Sequence, residues 1–254
     1  MADEAFVERR GNVQLITINR PEARNALNRA VAEVIRDAVD ELDASDDLQV
    51  GVITGAGGNF SAGMDLKAFM TGEHPMFEGR GLCGISQTPP KKPLIAAVEG
   101  YALAAGFELV LACDLVIAGK SAQFGIPEVK RGLVAAGGGA VITPQRIPLA
   151  VAMELILTGD PMPATRAAEV GLITRVVEDG RAVDAALGLA GRIAENGPLA
   201  VQASKLIARK ALEWTGEKAW TEPAAVFMPV FQSEDAKEGP RAFAEKRKPV
   251  WKGR

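Results

Sequence analysis

An α/β fold with parallel strands is what this 254-residue chain predicts, and three observations carry the prediction. Strand-like and helix-like segments alternate up to about residue 120. The strand-like runs are short and apolar, separated by connections long enough for right-handed crossovers. After about residue 140 helical periodicity takes over almost entirely.

In order along the chain, residues 13–19 (VQLITIN) alternate apolar and polar side chains at period two, as a half-buried strand does. Residues 28–42 place Val31, Val34, Ile35, Ala38, Val39 and Leu42 at helical spacing behind Asn28, a residue suited to capping the helix. Residues 50–54 read as a buried strand. The glycine-rich run Gly55-Ala-Gly-Gly-Asn-Phe-Ser-Ala-Gly-Met-Asp65 then leads into a short helix. Such turns present free backbone N–H groups, but neither GxGxxG nor GxxxxGK[ST] is present, so a nucleotide loop has little support. Residues 94–98 form a further strand after Pro93, followed by a helix over 106–112 and a strand over 115–118. Beyond residue 140, helices are expected over 149–157, 164–170, 183–195, 199–214 and 235–246, with a strand at 174–177 among them. The stripe Leu199, Gln202, Ala203, Leu206 and Ala211 reads as packing without chemistry.

Composition narrows the function classes. With 29 basic and 32 acidic residues the net charge is -3, which gives no general attraction to nucleic acid. The start Met1-Ala-Asp-Glu-Ala is acidic and lacks an apolar run, unlike a targeting signal, and no stretch has membrane-spanning length, so a cytoplasmic protein is expected. Cys83 and Cys113 are the only cysteines, without ligand spacing to each other or to a histidine, so neither zinc nor a disulfide framework is expected. Cys113 and Tyr101 read as core residues. His74, the single histidine, reads as an exposed loop residue, which disfavours a Ser-His-Asp hydrolase. The near match Asn59-Phe-Ser61-Ala-Gly63 also lacks the first glycine of a nucleophile elbow.

Two glutamates are the chemically distinctive residues. Glu108 ends Gly100-Tyr-Ala-Leu-Ala-Ala-Gly-Phe-Glu108, just inside a helix N-terminus within an apolar run. Glu128 ends Ala122-Gln-Phe-Gly-Ile-Pro-Glu128, after a short strand-like run. Desolvation raises a carboxyl pKa and two carboxylates facing one site do not ionise together easily, so the pair is a candidate acid/base device.

The segments Phe60-Ser-Ala-Gly-Met-Asp-Leu66, Lys91 through Glu108, Cys113-Asp114 and Ala122 through Glu128 resemble, in order and spacing, those of the crotonase superfamily, and are similar to those of enoyl-CoA hydratases. The likeness runs from Asn19-Arg-Pro-Glu-Ala-Arg-Asn-Ala-Leu27 to Phe243-Ala-Glu-Lys-Arg247. It implies a spiral of ββα turns over residues 1–195 holding an acyl-CoA site, and a helical region over 196–254 used for trimerisation and as a lid on CoA. It further implies addition of water to a 2-trans-enoyl-CoA, a homo-oligomer (trimer or dimer of trimers) and no metal or redox cofactor. By the resemblance Glu108 and Glu128 hold the water, and the N–H groups of Ala62 and Ala105 form an oxyanion hole. Gly63, Met64, Asp65 and Leu66 continue the substrate-binding turn, with Asp65 also placed to cap the next helix. The Ala136 N–H borders the water, Ala23 and Arg24 lie on the nucleotide side, and Phe243 and Lys246 belong to the lid. Two departures stand out: Ala104-Ala105 where the family often has Gly-Gly, and Leu133-Val-Ala-Ala-Gly-Gly138 without the proline many relatives carry. The tail Ser233 to Arg254 is similar to that of carnitinyl-CoA dehydratases, which keeps that reaction open; an isomerase of the superfamily and, from a different class, a non-catalytic acyl-CoA-binding protein are the further alternatives, both disfavoured by the two intact glutamates.

Overall fold

The computed structural model describes residues 3–254; Met1 and Ala2, part of the acidic start, lie outside the described residues. The first half contains β1 (Ala5–Arg10), β2 (Val13–Ile18), α1 (Arg29–Ala44), β3 (Val50–Gly55), α2 (Leu66–Met70), β4 (Met76–Phe77) and β5 (Gly81–Leu82). It continues with β6 (Leu94–Val98), β7 (Tyr101–Leu103), α3 (Ala105–Ala112), β8 (Leu115–Gly119) and β9 (Gln123–Gly125). The second half contains α4 (Gly139–Arg146), α5 (Leu149–Thr158), β10 (Met162–Pro163), α6 (Ala164–Glu169), β11 (Arg175–Val177), α7 (Ala182–Ala194), α8 (Pro198–Lys210), α9 (Lys218–Phe231) and α10 (Glu234–Ala244).

The main sheet has the order β1-β2-β3-β6-β8-β11. Only β1 and β2 pair antiparallel; the other neighbours are parallel, with Leu15 opposite Val52 and Ala97 opposite Ile117. A smaller sheet, β10-β9-β7, lies beside it. Both faces of the main sheet are covered, which explains the continuous apolar runs of its strands. Val13, Leu15, Val52, Ile95 and Ile117 meet Ala182, Ala186 and Ala190 of α7, while Ile16, Ile18, Ile53, Ala96 and Val98 share the other core with α1 and α3. Period two in β2 therefore does not mark a solvated face: Gln14 and Thr17 are buried as well.

The strands and helices expected in the first half are present. Asn28 caps α1 by accepting the Val31 N–H at 3.0 Å. The short strands β4, β5, β7 and β10 were not expected, nor were three longer elements. β1 is an edge strand rich in charge; α4 starts in a triple glycine and contains Pro144; α9 contains Pro223 and Pro229. The helix expected over 199–214 ends at Lys210, and its stripe of Leu199, Gln202, Ala203 and Leu206 lines a 340 Å³ cavity with Val226 and Val230 of α9. Tyr101 is 41% exposed rather than in the core, because on β7 it is Ala102 that turns inward. Cys113 is buried, its thiol 3.4 Å from the Leu109 carbonyl. No helix among the described residues is long and apolar enough to cross a membrane.

Candidate active site

A cavity of about 620 Å³ opens where the end of β7, the start of α3, α2 and the segment 127–137 converge. Its walls include Glu108, Glu128, Ala62, Met64, Leu66, Ala105, Ala136 and Arg24, so one space gathers most of the residues singled out in the sequence. A larger cavity of 840 Å³, against α8, contains neither glutamate.

Glu108 sits in the first turn of α3 and is buried at 4% exposure. Its Oε1 accepts the Gly139 N–H at 2.9 Å, and the N–H groups of Gly137 and Gly138 also favour its ionised form. Burial nevertheless leaves its pKa above the ordinary carboxylate value. This approach requires glycine: a Cβ at Gly137 would lie 2.6 Å from Glu108 Oε2, and one at Gly139 would lie 3.2 Å from Oε1. The glycine run that obscured α4 in the sequence is thus the cradle of the first carboxylate.

Glu128 stands in the 3₁₀ turn Pro127–Arg131. Its Oε2 is buried and has no hydrogen-bond partner. Burial pushes its pKa up to about 7, opposed by its own backbone N–H and reinforced by the charge of Glu108. The two carboxyl groups therefore differ in kind. One is held by backbone donors, while the other keeps an oxygen free for a proton or a water.

The backbone around the glycine-rich turn corrects one assignment. Ala62 N–H donates to the Arg24 carbonyl at 3.0 Å and is not available to a ligand. Met64 N–H is the free one. Leu27 pairs with residue 64 as in a parallel strand, donating to the Gly63 carbonyl at 2.8 Å and accepting the Asp65 N–H at 2.9 Å, which directs the intervening Met64 N–H away from Leu27. The Ala105 N–H, at the first position of α3, likewise finds no acceptor among the described residues. A Cβ on Gly63 would lie 2.8 Å from Ala104 Cβ and 3.6 Å from Ala105 N, so the two donor segments are in close contact. Ala104 takes φ 50° and ψ -129°, a conformation glycine adopts far more easily.

Asn25, not singled out in the sequence, holds the turn in place. It is fully buried with φ 56°, and its Nδ2 donates to the carbonyls of Ala56 at 2.8 Å and Asn59 at 2.6 Å. Asp65 caps α2, accepting the Lys67 N–H at 3.0 Å, and pairs with Arg20 at 2.9 Å; its side chain is thus engaged outside the cavity. Ala23 closes the turn Pro21–Ala23 next to Arg24 without lining the cavity. His74 is exposed, as expected, but on the cavity wall, where nothing in its sequence context placed it.

Phe243 and Lys246 do not reach the cavity of their own chain. Phe243 is 87% exposed. The tail folds back along α10: Asp235 accepts the N–H groups of Lys252 and Gly253, and Trp251 Nε1 donates to the Glu195 carbonyl at 2.8 Å, which ties α10 to the end of α7. Among the described residues no group of three or more His, Cys, Asp or Glu side chains is arranged as metal ligands would be.

Comparison with known proteins identifies the family. The model of the enoyl-CoA hydratase/isomerase family matches residues 8–254. The chain belongs to that family. An enoyl-CoA hydratase of Mycobacterium tuberculosis, EchA19, is 44% identical over 99% of this chain and 97% of its own length. A carnitinyl-CoA dehydratase of Salmonella enteritidis is 39% identical over all of both chains. The crystal structure of an enoyl-CoA hydratase from M. tuberculosis superposes with a TM-score of 0.97 at 55% identity, covering 99% of this chain and 100% of that one. The fold is thus that of the crotonases, and this member of the hydratase/isomerase family is an enzyme.

Proposed function

We propose that this enzyme is a hydro-lyase that adds water reversibly to a 2-trans-enoyl-CoA, giving a 3-hydroxyacyl-CoA. The observation that carries the reading is the unequal pair in one cavity: Glu108 held by backbone N–H groups, and Glu128 with an unpartnered buried oxygen and a pKa of about 7. Environments that push two carboxyls apart divide base from acid. Water held between them loses a proton to Glu108 as its oxygen bonds Cβ. The double-bond electrons move onto the thioester oxygen, and the resulting enolate accepts hydrogen bonds from the free N–H groups of Met64 and Ala105. Each well-placed donor of this kind is worth roughly 3 kcal/mol. The enolate then collapses as Cα takes the proton of Glu128, and transfer of one proton from Glu108 restores the pair. Acid, base and electrophile are all supplied by the chain, so the proposed reaction calls for no metal or redox cofactor.

The relatives named carnitinyl-CoA dehydratase support a dehydration or hydration step equally well and leave the acyl group open. Loss of the enoyl thioester absorbance, followed with crotonyl-CoA, a long-chain enoyl-CoA and crotonobetainyl-CoA in parallel, tests both levels. Hydration of an uncharged enoyl-CoA is the expected result. No turnover of any of the three would overturn the proposal, and turnover of crotonobetainyl-CoA alone would favour the dehydratase reading.

We also propose a homo-oligomer. Leu149, Met153 and Leu157 form an exposed apolar stripe on α5, and Leu206, Trp220, Met228 and Phe231 are exposed on and around α8 and α9. Apolar faces of this extent are usually covered. A monomeric mass in native mass spectrometry at micromolar concentration would refute it.

A further inference from the structure

The C-terminal end of α3 is closed by arginines. Arg146 Nη2 donates to the carbonyls of Leu111 and Cys113, at 2.7 Å each, and Arg209 Nη2 donates to that of Ala112 at 2.8 Å. Three consecutive carbonyls that a helix end leaves without intrahelical partners are thus all taken by cations, which also meet the negative end of the helix dipole. Arg209 is itself held: its Nε donates to Asp114 Oδ1 at 2.8 Å, while Asp114 Oδ2 takes Lys205 at 2.7 Å and the Leu94 N–H at 2.8 Å.

The two arginines come from different places. Arg146 is the last residue of α4, whose first residue, Gly139, holds Glu108. Consequently α3 and α4 are fastened to each other at both ends, by Glu108 to Gly139 and by Arg146 to Leu111 and Cys113. Arg209 lies on α8, in the helical region beyond residue 196. Neither guanidinium lines the glutamate cavity, so whatever they contribute to it is indirect, through α3 and, for Arg146, α4. That helix is eight residues long, about 12 Å. A shift of its far end moves Ala105 and Glu108 together.

We infer that Arg146 and Arg209 are positioning residues for the reaction: they clamp the C-terminal end of α3 and so hold the Ala105 N–H and Glu108 in register with the Met64 N–H and Gly139. Through Arg209 the C-terminal helical region takes part in the geometry of the active site. This rests on the roles proposed above for Glu108 and Ala105. A misplacement near 1 Å at such a site costs up to about 100-fold in rate.

The test uses Arg209→Met, Arg209→Lys and Arg146→Lys in the full-length protein, with two readouts. One is kcat and KM for crotonyl-CoA. The other is the red shift of a bound, unreactive aminocinnamoyl-CoA thioester, which reports how strongly its carbonyl is polarised. Arg209→Met is expected to lower kcat about 10-fold with KM within about threefold, and to diminish the red shift, with partial recovery in Arg209→Lys. A folded Arg209→Met with wild-type kcat and wild-type red shift overturns the clamp. Should that variant not fold, unchanged values in both lysine variants, which keep the charge but lose the planar fork, overturn it equally. A wild type that shifts the chromophore but hydrates nothing would sink the hydratase reading while leaving the clamp open to the spectral test; a wild type with no red shift would remove the role of Ala105, and the clamp with it.

Discussion

Gly137 stands so close to Glu108 that a methyl group on its α-carbon would meet the carboxylate Oε2 at 2.6 Å and Leu82 at 3.2 Å. Backbone and carboxylate are in direct contact there, so the loop 135–139 and the catalytic helix cannot be varied independently. Gly137→Ala is therefore expected to displace Glu108 and lower kcat at least about 10-fold. Gly188→Ala is the matched control, since its Cβ meets nothing and it lies in the exposed face of α7. That variant should retain activity and gain roughly 0.5–1 kcal/mol in denaturant unfolding.

If both carboxyls serve one water, Glu108→Gln and Glu128→Gln should each reduce kcat for crotonyl-CoA by roughly 100-fold or more, with KM within a few-fold. The double variant should be far less than multiplicatively worse, because the two act as a unit. Full activity in either single variant would remove the paired mechanism. An isomerase relying on one base would tolerate one of the two changes, so isomerisation of a 3-enoyl-CoA belongs in the same set of assays.

The raised pKa of Glu128 links stability to pH. A carboxyl whose pKa climbs from 4.5 to about 7 on folding binds its proton more tightly in the folded chain. Its ionisation therefore weakens folding progressively between those two values and costs its full amount above about pH 7. Glu128→Gln should be more stable than the wild type at pH 8, with the difference closing as the pH falls towards 4.5; melting curves across that range decide it. The kcat of hydration should also fall above about pH 7 as the acid form is lost, with an apparent pKa that belongs to the pair.

Ala104, at φ 50°, occupies backbone space that costs an L-residue roughly 1–2 kcal/mol. Ala104→Gly should raise stability by about 1 kcal/mol, after allowing for the greater freedom of glycine in the unfolded chain. A thermal midpoint that drops on this substitution would show that the alanine methyl, which lines the cavity, contributes more than its strain costs.

Much of the fold and site is visible in the sequence because the signals are local. The apolar runs of β3, β6 and β8 and the stripe of α1 announce a parallel sheet with covered faces, and the contexts of Glu108 and Glu128 mark them before any coordinates. Elements whose composition conflicts with their conformation escape such a reading. α4 begins in three glycines and α9 carries two prolines, and each helix is held by its surroundings rather than by propensity. The fold-back of Trp251 onto the Glu195 carbonyl escapes it for another reason, since that is a contact across 56 residues.

By itself, then, the sequence determined which side chains are available and which of the locally periodic segments are strand or helix, since these depend on residue type and short-range periodicity. Tertiary structure alone decided which backbone N–H groups are free. Ala62 and Met64 lie two residues apart in one turn, and only the placement of Arg24 and Leu27 alongside it engages the first and frees the second. It likewise decided that Gly137, Gly138 and Gly139 would cradle Glu108, and that Arg146 and Arg209 would close the far end of its helix. Hydrogen-bond donors on the main chain are the same at every residue but proline, so what distinguishes one from another is its neighbours in space.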